Sequence, residues 1–297
     1  MRALVTGGAG FIGSHLVDEL VARDHAVLVV DDLSTGHRKQ VHPRAAFRHA
    51  SVLDRDSVSA AFRAHAPDTV FHLAADIDVR RSVADPARDA RVNVEGTINV
   101  LEAARAAHVR RFVLSSTGGA IYGNADRVPT GEDAPLAPLA PYGASKVAGE
   151  HYAALYDRLH GLSTMALRYA NVYGPRQDPL GEGGVVAIFT ELARRGGRAT
   201  VFGDGEQTRD FVYVGDVVAA NLAAAAAESG GPVNIGRGEE TSVLALAERL
   251  GLEVDHAPGR PGEVRRSCLD PARALALLDW RAQVDVATGV ARTLAAA

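Results

Sequence analysis

Residues 3–13 read Ala3-Leu4-Val5-Thr6-Gly7-Gly8-Ala9-Gly10-Phe11-Ile12-Gly13, and this stretch decides the fold. Residues 3–6 form a short apolar run suited to a buried strand. Glycines interrupt it, and from Phe11 apolar residues recur at helical spacing, at Phe11, Leu16, Leu20 and Val21. The stretch satisfies GxGxxG from Gly8 and GxxGxxG from Gly7. A glycine turn between strand and helix allows a tight reversal, lets a pyrophosphate approach the backbone, and brings the helix close to the sheet. The helix N-terminus then offers unpaired N–H groups to the anion. A dinucleotide is the ligand that suits this arrangement.

The same texture repeats outward. Residues 26–31, 69–73, 111–116 and 163–168 read as strands, and residues 57–65, 87–107 and 142–160 as helices between them. Alternating buried strands and helices imply an α/β fold with a doubly wound parallel Rossmann sheet, whose ligands bind outside the carboxyl ends of the strands. Residues 1–168 are expected to form this nucleotide-binding domain, with 209–236 returning to it. Residues 169–208 and 237–297 are richer in Gly, Pro and Asp and are expected to form a smaller C-terminal substrate-binding cap. Further helices are expected at 184–195, 216–228 and 243–250.

Composition removes several function classes. The 297-residue chain is 47% hydrophobic and carries 32 basic against 36 acidic residues, so it has no basic field for gripping nucleic acid. Cys268 is the single cysteine, and the 11 histidines lack ligand spacing, which removes intramolecular disulfides and metal clusters. No apolar run approaches the ~20 residues of a membrane span. A soluble, cytoplasmic protein is expected. Lysine occurs only at Lys39 and Lys146 in a chain that otherwise uses arginine, which singles out Lys146 as a position where an amine is required.

Asp31 ends the second strand 18 residues beyond Gly13, where an acid accepts hydrogen bonds from the adenosine ribose and repels a 2′-phosphate. NAD is therefore expected over NADP, with Arg38 and Lys39 nearby as the opposing signal. Tyr142 and Lys146 stand four apart at a helix start, hence on one face, where the ammonium is expected to lower the phenol pKa from ~10 so that Tyr142 acts as a base. Thr117 closes the strand that ends Ser115-Ser116-Thr117, where cofactor and substrate should meet.

These pieces, in order, resemble the NAD-dependent epimerase/dehydratase family of extended short-chain dehydrogenases/reductases, and within it the UDP-glucose 4-epimerase branch. The matching segments are TGGAGFIGSHL, DDLSTG, FHLAA at 71–75, SSTGGAIYG at 115–123, PYGASKVAGE at 141–150, LRYANVYGPRQ at 167–177, VFGDGEQTRDFVYVGDV at 201–217 and RPGE at 260–263. The resemblance implies NAD held by Gly7, Gly10, Phe11, Ile12, Gly13, Asp31, Asp32, Ser34, Thr35, Gly36, Ser51, Val52, Leu73, Ala74, Ala75, Asn93, Ser115, Tyr142, Lys146 and Tyr169. It implies Tyr142 as base, Lys146 on the nicotinamide ribose, and Thr117, 25 residues before Tyr142, on the sugar 4-hydroxyl. A UDP-sugar would meet Thr117, Tyr142, Asn171, Val185, Val186, Val201, Phe202, Gly203, Arg209, Arg260, Glu263 and Ser267, with the arginines on its diphosphate. The implied reaction is transient oxidation at C4 by tightly bound NAD and return of hydride to the opposite face. The family commonly forms homodimers through two long helices, here around 87–107 and 142–160.

Departures qualify this reading. Ser51 stands where the family usually has an acid near the adenine, so that contact is expected to fall to Val52 and the backbone. Asp76 follows HLAA where glutamine or a small residue is usual; it either perturbs NAD binding, marks an altered substrate or points into solvent. Gly118 and Gly119 replace the acids that dehydratases and decarboxylases carry after the threonine. Ser267, seven residues after Arg260, stands where a bulky tyrosine excludes N-acetylated sugars, which implies a pocket open to UDP-N-acetylhexosamines as well as UDP-hexoses. A UDP-hexuronate epimerase, a dehydratase or decarboxylase, and a non-catalytic NAD-sensing protein are the alternatives. His72 and Cys268 read as packing residues.

Overall fold

A computed structural model describes residues 1–179, 184–259 and 264–296. Seven strands form the central sheet: β1 (Arg2–Thr6), β2 (Ala26–Asp31), β3 (Ala46–His49), β4 (Thr69–His72), β5 (Arg111–Thr117), β6 (Ser163–Tyr169) and β7 (Gly231–Ile235). They run parallel in the order β7-β6-β5-β4-β1-β2-β3. The order reverses between β1 and β4, and at such a switch point a crevice opens at the carboxyl ends of the strands.

The inner strands β1, from Ala3 on, and β4 are buried because helices cover both faces. On one face pack α1 (Phe11–Ala22), through Leu16, Val17 and Leu20, and the helix Val214–Ala226, through Val217 and Ala220. On the other lie α2 (Arg55–His65), α3 (Gly96–Ala106) and α4 (Pro141–His160), through Phe62, Leu101 and Ala153. Asp54 caps α2 by accepting the Ser57 N–H at 3.0 Å.

The helix expected over 87–107 is present and continuous, as Pro86–Ala90, a π turn Arg91–Glu95 and α3, and the wide turn carries the buried Asn93. Strands β3 and β7 carry no clear apolar period in the sequence: β3 is a largely exposed edge with only Phe47 partly buried, and β7 is short and interrupted by Pro232.

Beyond β6 the chain builds smaller units. Asn171–Tyr173 pairs with Phe211–Tyr213, Ala199–Phe202 with Val254–Ala257, and Thr208–Arg209 lies between Thr241–Ser242 and Arg266–Ser267. A separate core of Tyr173, Val186, Phe189, Val201, Phe211, Leu246 and Val290 holds them together. Among the described residues no helix is long and apolar enough to cross a membrane.

Candidate active site

A cavity of about 370 Å³ opens at the switch point and runs from the glycine turn past the ends of β4, β5 and β6 to the smaller core. The turn itself is dictated by sterics. Gly7 has φ +69°, and a Cβ there would stand 2.7 Å from the Ala74 backbone nitrogen; one on Gly13 would stand 2.1 Å from the Gly7 carbonyl oxygen. At Gly10 only the Gly7 oxygen lies within reach of a Cβ, at 3.3 Å. The cradle thus leaves backbone beside the start of α1, which suits a pyrophosphate.

Asp31 completes this half. Its Oδ2 accepts the Ala9 N–H at 2.9 Å and its Oδ1 the Leu33 N–H at 2.8 Å, which fixes the carboxyl while each oxygen keeps a lone pair. Burial raises its pKa against those two hydrogen bonds. Neither Arg38 nor Lys39 lines the cavity, and the Arg38 guanidinium stacks 4.5 Å from the Phe47 ring centroid. The residues present fit NAD: Asp31 lines the ribose end of the cavity, and among the described residues neither Arg38 nor Lys39 lines it.

Of the residues expected to hold NAD, the cavity is lined by Gly7, Gly10, Phe11, Ile12, Gly13, Asp31, Asp32, Ser34, Thr35, Val52, Leu73, Ala74, Ala75, Ser115, Tyr142, Lys146 and Tyr169. Gly36, Ser51 and Asn93 are not among them. A Cβ on Gly36 would press 2.8 Å from the Ala9 carbonyl carbon, so that glycine braces the phosphate turn from behind. Ser51 Oγ accepts the Leu53 N–H at 3.3 Å, and its neighbours Ala50 and Val52 line the wall instead. Asn93 is buried, donating to the Asp76 carbonyl and to Asp89 Oδ1, both at 2.8 Å.

Tyr142 and Lys146 sit one turn apart on α4, which Pro141 starts. Both line the cavity together with Thr117 and Asn171. Lys146 Nζ donates to the Ser115 carbonyl at 2.8 Å, and burial brings its pKa down to about 8 against the opposing pull of Glu150 and Asp89. The Tyr142 phenol is pushed up, not down: burial acts first, then the charges of Asp89 and Asp76. The lowering expected from the ammonium alone is therefore outweighed, because the protein encloses the phenol and places two carboxylates near it. His72 lies beneath, its Nδ1 2.7 Å from Thr6 Oγ1 and its Nε2 3.0 Å from Thr97 Oγ1. Burial and Lys146 bring its pKa down to about 3, so it stays neutral.

Asp76 neither reaches solvent nor lines the cavity. Its buried carboxylate pairs with Arg81 and lies 3.4 Å from Arg88, while its N–H donates to Asn93 Oδ1 at 2.9 Å.

The substrate set divides more sharply. Thr117, Tyr142, Asn171 and Val186 line the cavity, whereas Val185, Val201, Phe202, Gly203, Arg209 and Ser267 do not. Val185 packs on the smaller core, and Val201 is wholly buried there, because the alternation of its strand turns it inward. The Gly203 carbonyl accepts from His256 at 2.8 Å. Arg209 lies opposite Ser267 in the short strands and donates to the Thr208 and Val264 carbonyls at 2.8 and 2.9 Å. Arg260 and Glu263 lie outside the described residues.

The model of the NAD dependent epimerase/dehydratase family matches residues 3–236. The chain belongs to this family. It is similar to the UDP-glucose 4-epimerase of Mycolicibacterium smegmatis, 47% identical over 99% of this chain and 97% of the relative. Among solved structures it is similar to Thermotoga maritima UDP-glucose 4-epimerase with UDP-glucose, 46% identical, TM-score 0.98, covering 100% of this chain and 98% of that one. It is also similar to the Thermus thermophilus UDP-glucose 4-epimerase complex with NAD, 44% identical, TM-score 0.94, covering 100% and 98%.

Within this family member, sequence reasoning missed Asp89, Glu150 and Gln177. Asp89 is 2% exposed and accepts from Ser145, which lies between Tyr142 and Lys146, at 2.5 Å. Glu150 lies two turns beyond Tyr142 on the same face of α4, a spacing visible in PYGASKVAGE. Gln177 lines the cavity, and its Oε1 is buried with no hydrogen-bond partner among the described residues.

Proposed function

We propose that this protein is an NAD-dependent UDP-sugar 4-epimerase that interconverts UDP-hexoses at C4, in the cytoplasm and as a homodimer. One observation carries the reading: Tyr142, Lys146, Thr117 and Asn171 line the same cavity as the dinucleotide cradle. When bound, NAD+ supplies a hydride acceptor and donor and a fixed positive charge on its ring. Tyr142 takes the proton of the sugar 4-hydroxyl and later gives it back, Thr117 orients that hydroxyl, and the Lys146 ammonium stabilises the phenolate. The hydride lost from C4 in the first half-reaction is returned to C4 in the second, and the same phenol takes and gives back the proton, so no net redox occurs.

The lyase alternative lacks its acid. A Cβ on Gly119 would meet Asn171 Oδ1 at 3.6 Å and Thr117 Oγ1 at 3.9 Å, so this is where a carboxylate would serve a second proton transfer, and glycine stands there. A binding-only role has no use for a buried Tyr142–Lys146 pair. The homodimer reading is supported by Tyr152, Leu155 and Leu159 exposed along α4. Acceptance of N-acetylated sugars and an Arg209 contact to the diphosphate are carried by the family resemblance, since neither Ser267 nor Arg209 lines the cavity.

The test incubates purified protein with UDP-glucose and no added NAD, and separates products by anion-exchange chromatography. UDP-galactose is expected, as is conversion of UDP-GlcNAc. Absence of conversion of either sugar, with and without supplied NAD, overturns the reading.

A further inference from the structure

We propose that Glu150 is a positioning residue of this active site, fastening α4, which carries Tyr142 and Lys146, to the strand end that carries Ser115, Ser116 and Thr117. The inference rests on the epimerase reading for its kinetic consequence and on geometry for everything else.

Glu150 follows Lys146 by one helical turn. Its Oε1 accepts from Ser116 Oγ at 2.5 Å. Ser116 stands between Ser115, whose carbonyl accepts from Lys146 Nζ at 2.8 Å, and Thr117, which lines the cavity. The other side of the carboxylate meets Arg168 on β6, with Nη2 2.7 Å from Oε2 and Nε 3.1 Å from Oε1. Both side chains are buried, at 4% and 9% exposure for Arg168 and Glu150. Arg168 Nη1 donates onward to Tyr122 Oη at 2.8 Å, and Tyr122 donates to Asn234 Oδ1 at 2.8 Å. Tyr122 lies just beyond Thr117, so the network holds the strand end from both sides. A buried ion pair this well satisfied fixes one arrangement more than it adds stability, and severing one partner is costly.

A second consequence is electrostatic. The groups that face the Lys146 ammonium are Glu150 on its own helix, Asp89 from the Pro86–Ala90 helix, neutral His72 from β4 and the Ser115 carbonyl from β5, with Arg168 beyond Glu150 and Tyr142 one turn back along the helix. Glu150 leads Asp89 among the charges that keep the ammonium protonated against burial.

The sequence makes this directly measurable. Lys39 and Lys146 are the two lysines, and Lys39 is exposed and outside the cavity, so a Lys39→Arg protein carries one lysine. Labelled with carbon-13 at Cε, it yields a single titrating signal that belongs to Lys146. That signal is expected to titrate near pH 8, and in Glu150→Gln to move down by a unit or more, with Glu150→Asp falling between. Turnover of UDP-glucose by Glu150→Gln is expected to fall at least tenfold in kcat with KM changed less than threefold. Should the buried Arg168 prevent that variant from folding, the neutral pair Glu150→Gln with Arg168→Gln is read in the same way. An unmoved Lys146 titration and unmoved kcat in any folded variant overturn the proposal, even where Tm drops. If the wild type turns over no sugar but the Lys146 signal still shifts, the functional reading fails and the Glu150–Lys146 coupling stands.

Discussion

Ser145 Oγ donates to Asp89 Oδ2 across 2.5 Å, which plants a buried carboxylate under the helical turn between Tyr142 and Lys146. Burial contributes most to the raised phenol pKa, Asp89 next, and Asp76 after it. The sign follows: a base with a raised pKa is protonated until higher pH, so activity that needs phenolate climbs late. Removing the Asp89 charge favours phenolate. Asp89→Asn, which keeps a hydrogen-bond acceptor for Ser145, is therefore expected to move the acidic limb of the pH profile of kcat/KM downward by roughly one unit. A limb at its wild-type pH would remove Asp89 from the control of Tyr142.

Tyr142→Phe deletes the proton acceptor and leaves the ring. General-base groups contribute about 10²–10⁴-fold, so kcat is expected to fall by roughly 10³. The cradle of Gly7, Gly10 and Gly13 and the Asp31 anchor are untouched, so NAD released by acid from the purified variant should match wild type in amount. Surviving turnover would assign the proton to another group.

The two glycines after Thr117 are not equivalent. A Cβ at Gly118 would lie 2.4 Å from Leu269 Cδ1 and 2.6 Å from Cδ2, and Leu269 is 1% exposed. Overpacking of that kind costs about 1–3 kcal/mol, so Gly118→Ala should lower Tm by several degrees. At Gly119 the nearest atoms, Asn171 Oδ1 and Thr117 Oγ1, stand at ordinary contact distance. Gly119→Ala should leave Tm nearly unchanged and raise KM for UDP-glucose, because its methyl points at two cavity residues. Thermal unfolding and initial-rate measurements on the pair separate the effects; equal Tm losses would contradict the assignment.

What was legible in the sequence was local. The glycine turn, the acid ending β2 and the Tyr142–Lys146 spacing each place chemistry by a few residues of strand or helix geometry, and the structure gathers them at one crevice. What the sequence hid depends on long-range packing. Nothing local ties Asp89 to the site; its fold neighbour Ser145, 56 residues away, does. Val201 looked like a ligand contact because a motif named its strand, and only the inward turn of that strand sends it into the core. The sign of the Tyr142 shift is hidden for the same reason: spacing shows the ammonium but neither the burial nor the carboxylates from other elements.

Gln177 offers a test in which stability and binding move in opposite directions. Its Nε2 donates to the Val172 carbonyl at 3.2 Å, which fixes the orientation of the amide and leaves the buried Oε1, beside the cavity, with no partner among the described residues. A buried acceptor without a donor costs about 1–3 kcal/mol, and a substrate hydroxyl or imide N–H would satisfy it. Gln177→Leu removes the unsatisfied atom from the substrate-free protein and also removes the Val172 bond, so its Tm should stay level or rise slightly. The same change removes an acceptor from the complex, so KM for UDP-glucose should rise about tenfold, with kcat held within a factor of two because the proton-transfer groups are elsewhere. An unchanged KM at unchanged or higher Tm would show that no substrate donor reaches Oε1.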